Sequence, residues 1–362
     1  MTEFQGPDGV SRGRGESPAK PPSSARARPG SSPFVQAGRG QYPVRKSYAA
    51  LDLGTNNCRM LIARPDGDGF SIVDAFSRIV RLGEGLAASG RLSDEAMDRA
   101  VSALSICASK LARRNVHLSR AVATEACRRA DNGAEFVDRV ARETGILLDI
   151  IHPEEEARLA VMGCYRMLPL GDGPALIFDI GGGSTELAII ETGEGDPRTL
   201  SWLSIPWGVV SLSEAVDQDG VDEAARLTAY EAMKAQVSEA IGTFVSELGL
   251  GLVSNRLLGT SGTVTTLASV FLCLPSYDRK QVDGIQAPVG ALRAISLDLA
   301  RRSIAGRAEV ACIGPERADL VVAGCAILDA IFDAWPAETV GVADRGIREG
   351  ILRQLMKLDT RT

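Results

Sequence analysis

The stretch ALIFDIGGGSTELAII, residues 175–190, places three consecutive glycines between two apolar runs. Each glycine loses more conformational freedom on folding than any other residue, so the run must meet a specific requirement. A dinucleotide-binding fingerprint would need a helix after the glycines, whereas Leu187, Ile189 and Ile190 are typical of a second strand. The stretch therefore predicts a β-hairpin. Its third glycine indicates that something approaches the backbone closely, and successive N–H groups in such a turn bind anions well.

A second stretch, ALDLGTNNCRMLIA at residues 50–63, follows the same plan. Asp52 matches Asp179, and Gly54 matches Gly181, at the same offset of 127 residues. The repeat predicts two similar domains, each presenting one anion-binding loop. Two facing loops, each with an aspartate at the end of a strand, would form a cleft for a phosphate chain and a divalent cation.

The alternation of apolar strands and amphipathic helices predicts an α/β fold. Residues 1–46 are rich in Ser, Pro, Gly and Arg and predict a disordered basic tail. We expect an N-terminal domain over 47–169 and a C-terminal domain over 170–362, joined at the linker LGDGP, residues 170–174. The last helix is expected to pack back on the first domain.

Periodicity and capping signals place the individual elements. Ser93 is expected to open a helix, and Pro153 the helix whose inward face carries Ala157, Val161, Cys164 and Leu168. Further helices are predicted over 133–144, 222–248, 291–304 and 316–334, with strands at 120–124 and 146–151.

Composition excludes several function classes. The formal net charge is −6, and the Lys and Arg excess is confined to the first 48 residues, so the acidic body argues against a nucleic-acid partner. Seven cysteines without a CxxC pair predict reduced thiols in a cytoplasmic protein. We expect neither a membrane segment nor a secretory signal. With only His117 and His152 present, a multi-histidine metal site is excluded, and a general base is expected to be a carboxylate. His152 is expected to cap its helix.

Six motifs carry a resemblance to a known family. In order along residues 47–356 they are DLGTNN, EEARLA, FDIGGGSTEL, GTSGT, PERADLVVAG and RGIREGIL. Together they resemble the exopolyphosphatase and guanosine-pentaphosphate phosphohydrolase family of the acetate-kinase/sugar-kinase/chaperone-ATPase/actin superfamily. The resemblance implies two actin-like (ribonuclease-H-like) domains with a cleft between them, and hydrolysis of a terminal phosphoanhydride with Mg²⁺, a monovalent cation being a further option. Polyphosphate or guanosine pentaphosphate would be the substrate, and the apolar helices after residue 290 leave a homodimer open.

The resemblance also assigns roles to residues. Glu156, the second glutamate of EEAR, is implied as the catalytic base, and Arg128 as a phosphate contact. Asp52 and Asp179 are expected to bind magnesium, with Glu186 binding the metal or positioning water. The expected phosphate-binding residues of the loops are Gly54, Thr55, Asn56, Gly181, Gly182, Gly183, Ser184, Gly259, Thr260, Ser261 and Gly262.

Two positions depart from the family pattern. Glu125 stands where the family usually has a small or apolar residue, and Asn57 where a serine is common. Glu125 adds a negative charge near the inferred phosphate path, which puts the path or the substrate's length in question.

Structural alternatives stand beside each of these roles. The three acids at 154–156 complement a helix dipole, Asp179 is suited to capping a turn, and Glu186 alternates with a buried Leu187. The loop at 259–262 is a plausible plain connection, and Arg128 a surface residue of a helix. Two other functions stay open: a superfamily kinase or ATPase, and a non-catalytic polyphosphate or nucleotide sensor that would need the loops without Glu156.

Overall fold

Two β-sheets form the framework of the chain, and a computed structural model describes residues 46–248 and 255–360. The predicted tail lies outside the described residues except for Lys46, whose Nζ lies 2.7 Å from Asp359 Oδ2. The first sheet contains β1 (Tyr48–Leu53), β2 (Asn57–Asp66), β3 (Gly69–Ile79), β4 (Leu118–Ala123) and β5 (Leu148–Ile150). The second contains β6 (Ala175–Ile180), β7 (Thr185–Glu191), β8 (Arg198–Ile205), β9 (Leu257–Thr260), β10 (Gln286–Pro288) and β11 (Thr339–Ala343).

Five strands of each sheet share one topology, and the second sheet adds β10 at its edge. Their strand orders are β3-β2-β1-β4-β5 and β8-β7-β6-β9-β11-β10. In each sheet the first strand in sequence pairs antiparallel with the second and parallel with the fourth. The repeat at an offset of 127 residues therefore corresponds to two related α/β domains, as predicted. The domain boundaries themselves stay a prediction.

Helices cover the faces of both sheets. They are α1 (Leu86–Ser89), α2 (Asp94–Arg113), α3 (Glu125–Arg129), α4 (Gly133–Thr144), α5 (Pro153–Cys164), α6 (Val209–Ala215), α7 (Glu223–Glu247), α8 (Gly262–Phe271), α9 (Arg279–Val282), α10 (Val289–Arg301), α11 (Ile304–Ala308), α12 (Val321–Ala334) and α13 (Ile347–Asp359). A 3₁₀ turn at Tyr165–Met167 follows α5. In the described part of the chain, no helix is long and apolar enough to cross a membrane.

The local signals place most element ends correctly. Ser93 Oγ accepts a hydrogen bond from the N–H of Ala96 and caps α2, α4 ends at Gly145 with φ 72°, and α5 begins at Pro153. His152 occupies the N-cap position of α5, but its side chain makes no capping bond, so that prediction was wrong. The extended N-cap backbone is enough to start the helix before a proline.

Three predicted elements change length. The strand predicted at 146–151 is shortened to β5, and α5 ends at Cys164, so that Leu168 lies beyond its inward face. The helix predicted from residue 316 begins at Val321, because 316–320 form turns. Twelve of the 14 residues of α12 are buried, so its apolar composition serves the core and does not by itself indicate a dimer interface.

Helices α5 and α13 cross between the two sheets. α13 follows β11 as α5 follows β5, so the two helices occupy equivalent places in the repeat. A Cβ added at Gly163 would lie 2.0 Å from the carbonyl oxygen of Gly346, and one added at Gly350 would lie 2.1 Å from that of Leu159. The crossing is therefore closer than any larger residue allows. It ties the two domains together through their backbones.

The thiols are all free. Among the seven cysteines, Cys58, Cys107, Cys127, Cys164 and Cys325 are buried, Cys312 is half-buried and Cys273 is exposed. This distribution confirms the expectation of mostly buried thiols.

Candidate active site

A cleft of about 970 Å³, counted with its open mouth, lies where loops from the two sheets meet. It brings together residues that are distant in the chain, including most of those predicted from sequence. The predicted residues that line it are Asp52, Gly54, Thr55, Asn56, Glu156, Asp179, Gly181, Gly182, Gly183, Ser184, Glu186, Ser261 and Gly262. Three predicted residues do not line it: Arg128, Gly259 and Thr260.

The two hairpin turns have the same backbone geometry. The N–H of Gly54 donates to the carbonyl oxygen of Asn57 at 2.9 Å, and that of Gly181 donates to Ser184 at 2.9 Å. The pairing register places Asp52 opposite Arg59 in the first turn and Asp179 opposite Glu186 in the second. One domain thus presents a cation, Arg59, where the other presents the carboxylate of Glu186.

Packing explains the three glycines. None of them has a positive φ, so left-handed backbone is not the reason for the run. A Cβ at Gly182 would lie 2.9 Å from Thr55 Cβ, and one at Gly183 would lie 2.7 Å from Thr55 Oγ1 and 2.9 Å from Glu125 Cγ. The close approach that the third glycine indicated is thus made by the other domain, whose loop packs directly on this turn.

A third loop reaches the cleft between β9 and α8. Ser261 has φ 98°, an uncommon conformation for a residue with a side chain. Such strain persists where the surroundings enforce it, and it clusters at functional sites. The conformation directs the N-terminus of α8 at the cleft, with Gly262 and Thr263 in its lining. Gly259 and Thr260 belong to the strand instead, where Thr260 Oγ1 donates to the carbonyl oxygen of Arg345.

Four unpartnered polar atoms belong to residues that line this space. Buried polar side-chain atoms normally have a hydrogen-bond partner. Asp52 Oδ1, Thr55 Oγ1, Asn56 Oδ1 and Ser261 Oγ have none, although all four residues line the cleft. These atoms come from the first turn and from the loop before α8, and so from both domains. They indicate a polar ligand or ordered water between the domains.

Three buried carboxylates of the cleft have raised pKa values. Burial raises the pKa of Asp52 and, with the Asp52 charge as second cause, raises that of Asp179 to about 6. Burial also raises the pKa of Glu186 to about 7, although hydrogen bonds from Ser184 and Ser204 to its Oε1 oppose this. Arg59 and Arg348 lower the pKa of Asp52 and of Asp179, but burial outweighs them.

The same three carboxylates fit a hydrated divalent cation. In the described residues, no group of three or more His, Cys, Asp or Glu side chains forms a preassembled metal site. Mg²⁺ is commonly held by one or two carboxylates together with waters and substrate phosphates, so such a group is not required. The free Oδ1 of Asp52 and the raised pKa values suit this mode of binding.

Position separates the three acids at the start of α5. Glu154 is exposed, and Glu155 pairs with Arg120 and Arg158 outside the cleft. Glu156 is only 6% exposed and lines the cleft. Burial, and secondly the charge of Glu186, raise the pKa of Glu156 well above its ordinary value. A dipole-complementing role does not require this burial, whereas a general base gains from a raised pKa.

Arg128 reaches Glu156 from behind the cleft. Its Nη1 and Nη2 each lie 3.2 Å from Glu156 Oε2, and Nη2 lies 2.6 Å from Glu125 Oε2. Glu125 lines the cleft, while Arg128 does not. The arginine therefore links two carboxylates, of which one is the candidate base.

Sequence reasoning missed two arginines of the cleft. Arg59 and Arg317 both line it, and Arg317 Nη1 donates to Thr266 Oγ1 at 2.9 Å. Arg59 had a signal in the sequence, because the offset of 127 residues that matches the aspartates also matches it to Glu186. Arg317 had a different signal, because it lies in the motif PERADLVVAG, although only the tertiary fold brings the turn before α12 to the cleft. Thr124, Thr263 and Thr266 complete the polar lining in the same way.

Comparisons with known proteins found a matching family model and several relatives. The model of the Ppx/GppA phosphatase family matches residues 61–359. A putative exopolyphosphatase of Haemophilus influenzae is 29% identical over 86% of this chain and 92% of its own length. A guanosine-5′-triphosphate,3′-diphosphate pyrophosphatase of Aeromonas salmonicida is 31% identical over 85% of this chain. The chain spans 59% of the length of that second relative.

Solved structures show the same fold. A Ppx/GppA family member from Aquifex aeolicus superposes with a TM-score of 0.70 at 27% identity, covering 88% of this chain and 99% of its own. An exopolyphosphatase from Cytophaga hutchinsonii superposes with a TM-score of 0.76 at 23% identity, covering 86% and 98%.

Proposed function

The chain belongs to the Ppx/GppA phosphatase family, and on that premise we propose that it hydrolyses the terminal phosphoanhydride of inorganic polyphosphate, of guanosine pentaphosphate, or of both. One observation carries the proposal: a buried glutamate, Glu156, faces the same cleft as two glycine-containing turns and a helix N-terminus. Relatives named for each of the two substrates match the chain to a similar degree. The cleft lies between the two actin-like domains.

Phosphate oxygens would be held mainly by backbone N–H groups and by two guanidinium groups. The turns at 54–57 and 181–184 and the N-terminus of α8 all line one space, and backbone N–H groups of such turns and helix starts bind anions well. Arg59 and Arg317 add positive charge to an otherwise carboxylate-rich cleft. Guanidinium groups suit phosphate because they can form bidentate hydrogen bonds with it. The unpartnered Thr55, Asn56 and Ser261 atoms would complete the shell.

Glu156 would act as general base. It accepts a proton from water while the water oxygen forms a bond to the terminal phosphorus. The bond from that phosphorus to the bridging oxygen breaks, and orthophosphate and the shortened chain leave. Arg128 holds the carboxylate by two contacts to Oε2. Catalysis of phosphoryl transfer rests chiefly on positioning and charge stabilisation, so no covalent nucleophile is required.

Asp52, Asp179 and Glu186 are the residues proposed to hold magnesium, through water for at least one of them. Magnesium bound there would neutralise negative charge on the phosphate oxygens. A monovalent cation is a further option for the same carboxylates. The free thiols support a reducing, cytoplasmic setting, and a homodimer stays a prediction.

Phosphate release tests the proposal. Purified protein is assayed with Mg²⁺ on long polyphosphate, tripolyphosphate and guanosine pentaphosphate, beside Glu156→Gln and the control Glu155→Gln. Loss of general base catalysis should lower kcat by about 10²–10⁴-fold in Glu156→Gln, with substrate binding retained. Glu155→Gln removes the same charge one residue away, outside the cleft, and should stay within about threefold of the native kcat.

Other outcomes identify the alternatives. Binding without release by the native chain would contradict a hydrolase and favour a sensor. Phosphate transfer to an added acceptor, without release to water, would favour a kinase. Full activity of a folded Glu156→Gln variant would remove Glu156 as the base.

A further inference from the structure

Glu125 is the acidic residue of the cleft that neither the phosphate loops nor the base requires. It is the first residue of α3, its side chain is 17% exposed, and it lines the cleft. A Cβ at Gly183 would lie 2.9 Å from its Cγ, so its stem packs on the glycine turn. It therefore stands between that turn and Arg128.

The guanidinium of Arg128 has its donors committed to protein acceptors. Nε donates to Glu125 Oε2 at 3.2 Å, and Nη2 contacts Glu125 Oε2 at 2.6 Å and Glu156 Oε2 at 3.2 Å. Nη1 donates to the carbonyl oxygen of Ile151 at 2.6 Å and contacts Glu156 Oε2 at 3.2 Å. An arginine carries five N–H groups in a fixed fork. These five contacts account for all of them.

We propose that Glu125 keeps Arg128 from binding substrate phosphate, makes it a positioning residue for Glu156, and so limits how tightly the cleft holds a polyphosphate. This proposal rests on the proposed function. Two carboxylates share one guanidinium, so the group Glu125–Arg128–Glu156 has a net charge of −1 beside the glycine turn. A polyanionic substrate meets repulsion there, and the Nε edge of Arg128 is covered by Glu125 Oε2. Glu125 is accordingly a residue that weakens the binding of polyphosphate.

A double-mutant cycle on Glu125 and Arg128 tests this. The four proteins are the native chain, Glu125→Ala, Arg128→Gln and the double variant, each assayed with Mg²⁺ for KM and kcat on tripolyphosphate. Removing Glu125 frees donors and removes a negative charge, so KM should fall about tenfold, as expected for one charge-assisted hydrogen bond. Glu125→Gln keeps one acceptor and should lower KM less.

Arg128→Gln separates positioning from phosphate binding. In the native background it should lower kcat and change KM by less than about threefold, because Arg128 holds Glu156 and not substrate. In the Glu125→Ala background it should raise KM by about tenfold, because Arg128 then contacts phosphate. The difference between the KM effects of Arg128→Gln in the two backgrounds measures the interaction between Glu125 and Arg128. If Arg128 had a purely structural role, its replacement would not change mainly kcat in the native background and mainly KM in the Glu125→Ala background.

Controls and a second readout keep the outcomes distinct. Arg129→Gln alters the exposed neighbour of Arg128 and should leave KM and kcat unchanged, and thermal unfolding checks that each variant is folded. Affinity for tripolyphosphate without magnesium, by titration calorimetry, should follow KM. An absence of phosphate release by the native chain overturns the proposed function alone, because this affinity still tests the role of Glu125.

Three results would overturn the inference. One is an unchanged KM and affinity in folded Glu125→Ala. Another is an equal rise in KM for Arg128→Gln with and without Glu125. The last is a failure of every variant, Glu125→Ala included, to bind tripolyphosphate.

Discussion

Single residues acquire their chemistry here from what surrounds them. Glu154, Glu155 and Glu156 are consecutive and identical, yet only Glu156 is buried in the cleft and linked to Arg128. Burial disfavours the charged carboxylate and raises its pKa, which suits a base that must take a proton. Glu155 shows the opposite environment, since its hydrogen bond from Arg158 is the main cause that lowers its pKa.

Lowering the pH should remove activity by protonating Glu156. Its pKa is raised well above the ordinary value of about 4.3, first by burial and then by Glu186, and Arg128 opposes the rise. A base works only when deprotonated, so kcat is retained above the raised pKa and falls as the pH falls through it. A profile of kcat against pH should show an acidic limb above the range of an exposed glutamate, and Arg128→Gln should move that limb to higher pH.

The carboxylates of the cleft titrate together, so the limb belongs to the group as well as to Glu156. The shift of the limb in Arg128→Gln identifies the contribution of Glu156 to it. Arg129→Gln is the control. A limb near pH 4, or one that Arg128→Gln leaves in place, would contradict the assignment of Glu156 as the base.

Five strands of each domain correspond in their order, and loops of both domains meet at the cleft. The turns after β1 and β6, and those after β4 and β9, all contribute to its lining. Helices α5 and α13 cross behind it, with Gly163 and Gly350 at the closest points. Side chains could fill a wider crossing, but a wider crossing would move Glu156, which lies in the first turns of α5.

Replacing Gly350 by Ala should destabilise the fold. The added Cβ would lie 2.1 Å from the carbonyl oxygen of Leu159, and backbone cannot move aside as a flexible side chain can. Overpacking of this kind costs about 1–3 kcal/mol, so the thermal midpoint of Gly350→Ala should fall by several degrees. Activity should fall as well, since α5 is displaced.

Gly242→Ala provides the matched control in another helix. Gly242 is exposed within α7, and an added Cβ there meets nothing within 4 Å. Its midpoint should be unchanged or raised, because alanine restricts the unfolded chain and favours helix. Equal midpoints for Gly350→Ala and the native protein would show that the crossing tolerates a wider spacing.

At the scale of the whole molecule, a second set of contacts holds the two domains together. Arg81, in the segment after β3, pairs with Asp319, which precedes α12: Nη1 lies 2.8 Å from Oδ2 and Nη2 lies 3.3 Å from Oδ1. The N–H of Gly85 donates to Glu214 Oε1 at 2.8 Å beside this pair. Arg81 has φ 46°, a conformation that the chain around it must enforce. These contacts help to fix the spacing between the two domains at the cleft.

Asp319→Asn should loosen this spacing and weaken substrate binding. Both partners are about one-third exposed, so the pair contributes at most about 1 kcal/mol. We therefore expect KM for tripolyphosphate to rise by no more than about fivefold, with kcat nearly unchanged and with a smaller effect at high salt. Asp298→Asn is the control. It breaks an exposed ion pair with Arg302, four residues along the chain, and should leave KM unaltered. An unchanged KM in Asp319→Asn would mean that this pair does not influence the cleft.

Sequence alone determined the elements, the repeat and the paired turns. These follow from interactions between near neighbours: hydrophobic periodicity, a capping serine, glycine at a helix end and the pattern of an aspartate two residues before a glycine. The same local rules failed at Val321 and at β5, where tertiary packing and not propensity decides how far an element extends.

Only the tertiary structure decided which of these residues act together. It selected Glu156 from three identical acids, brought Arg59 and Arg317 to the cleft, and engaged Arg128 with Glu125. It also showed that the glycine run accommodates Thr55 and Glu125 from the other domain. The physical reason is the same in each case, because burial and charge interactions depend on distances between residues far apart in the chain, and no local pattern encodes those distances.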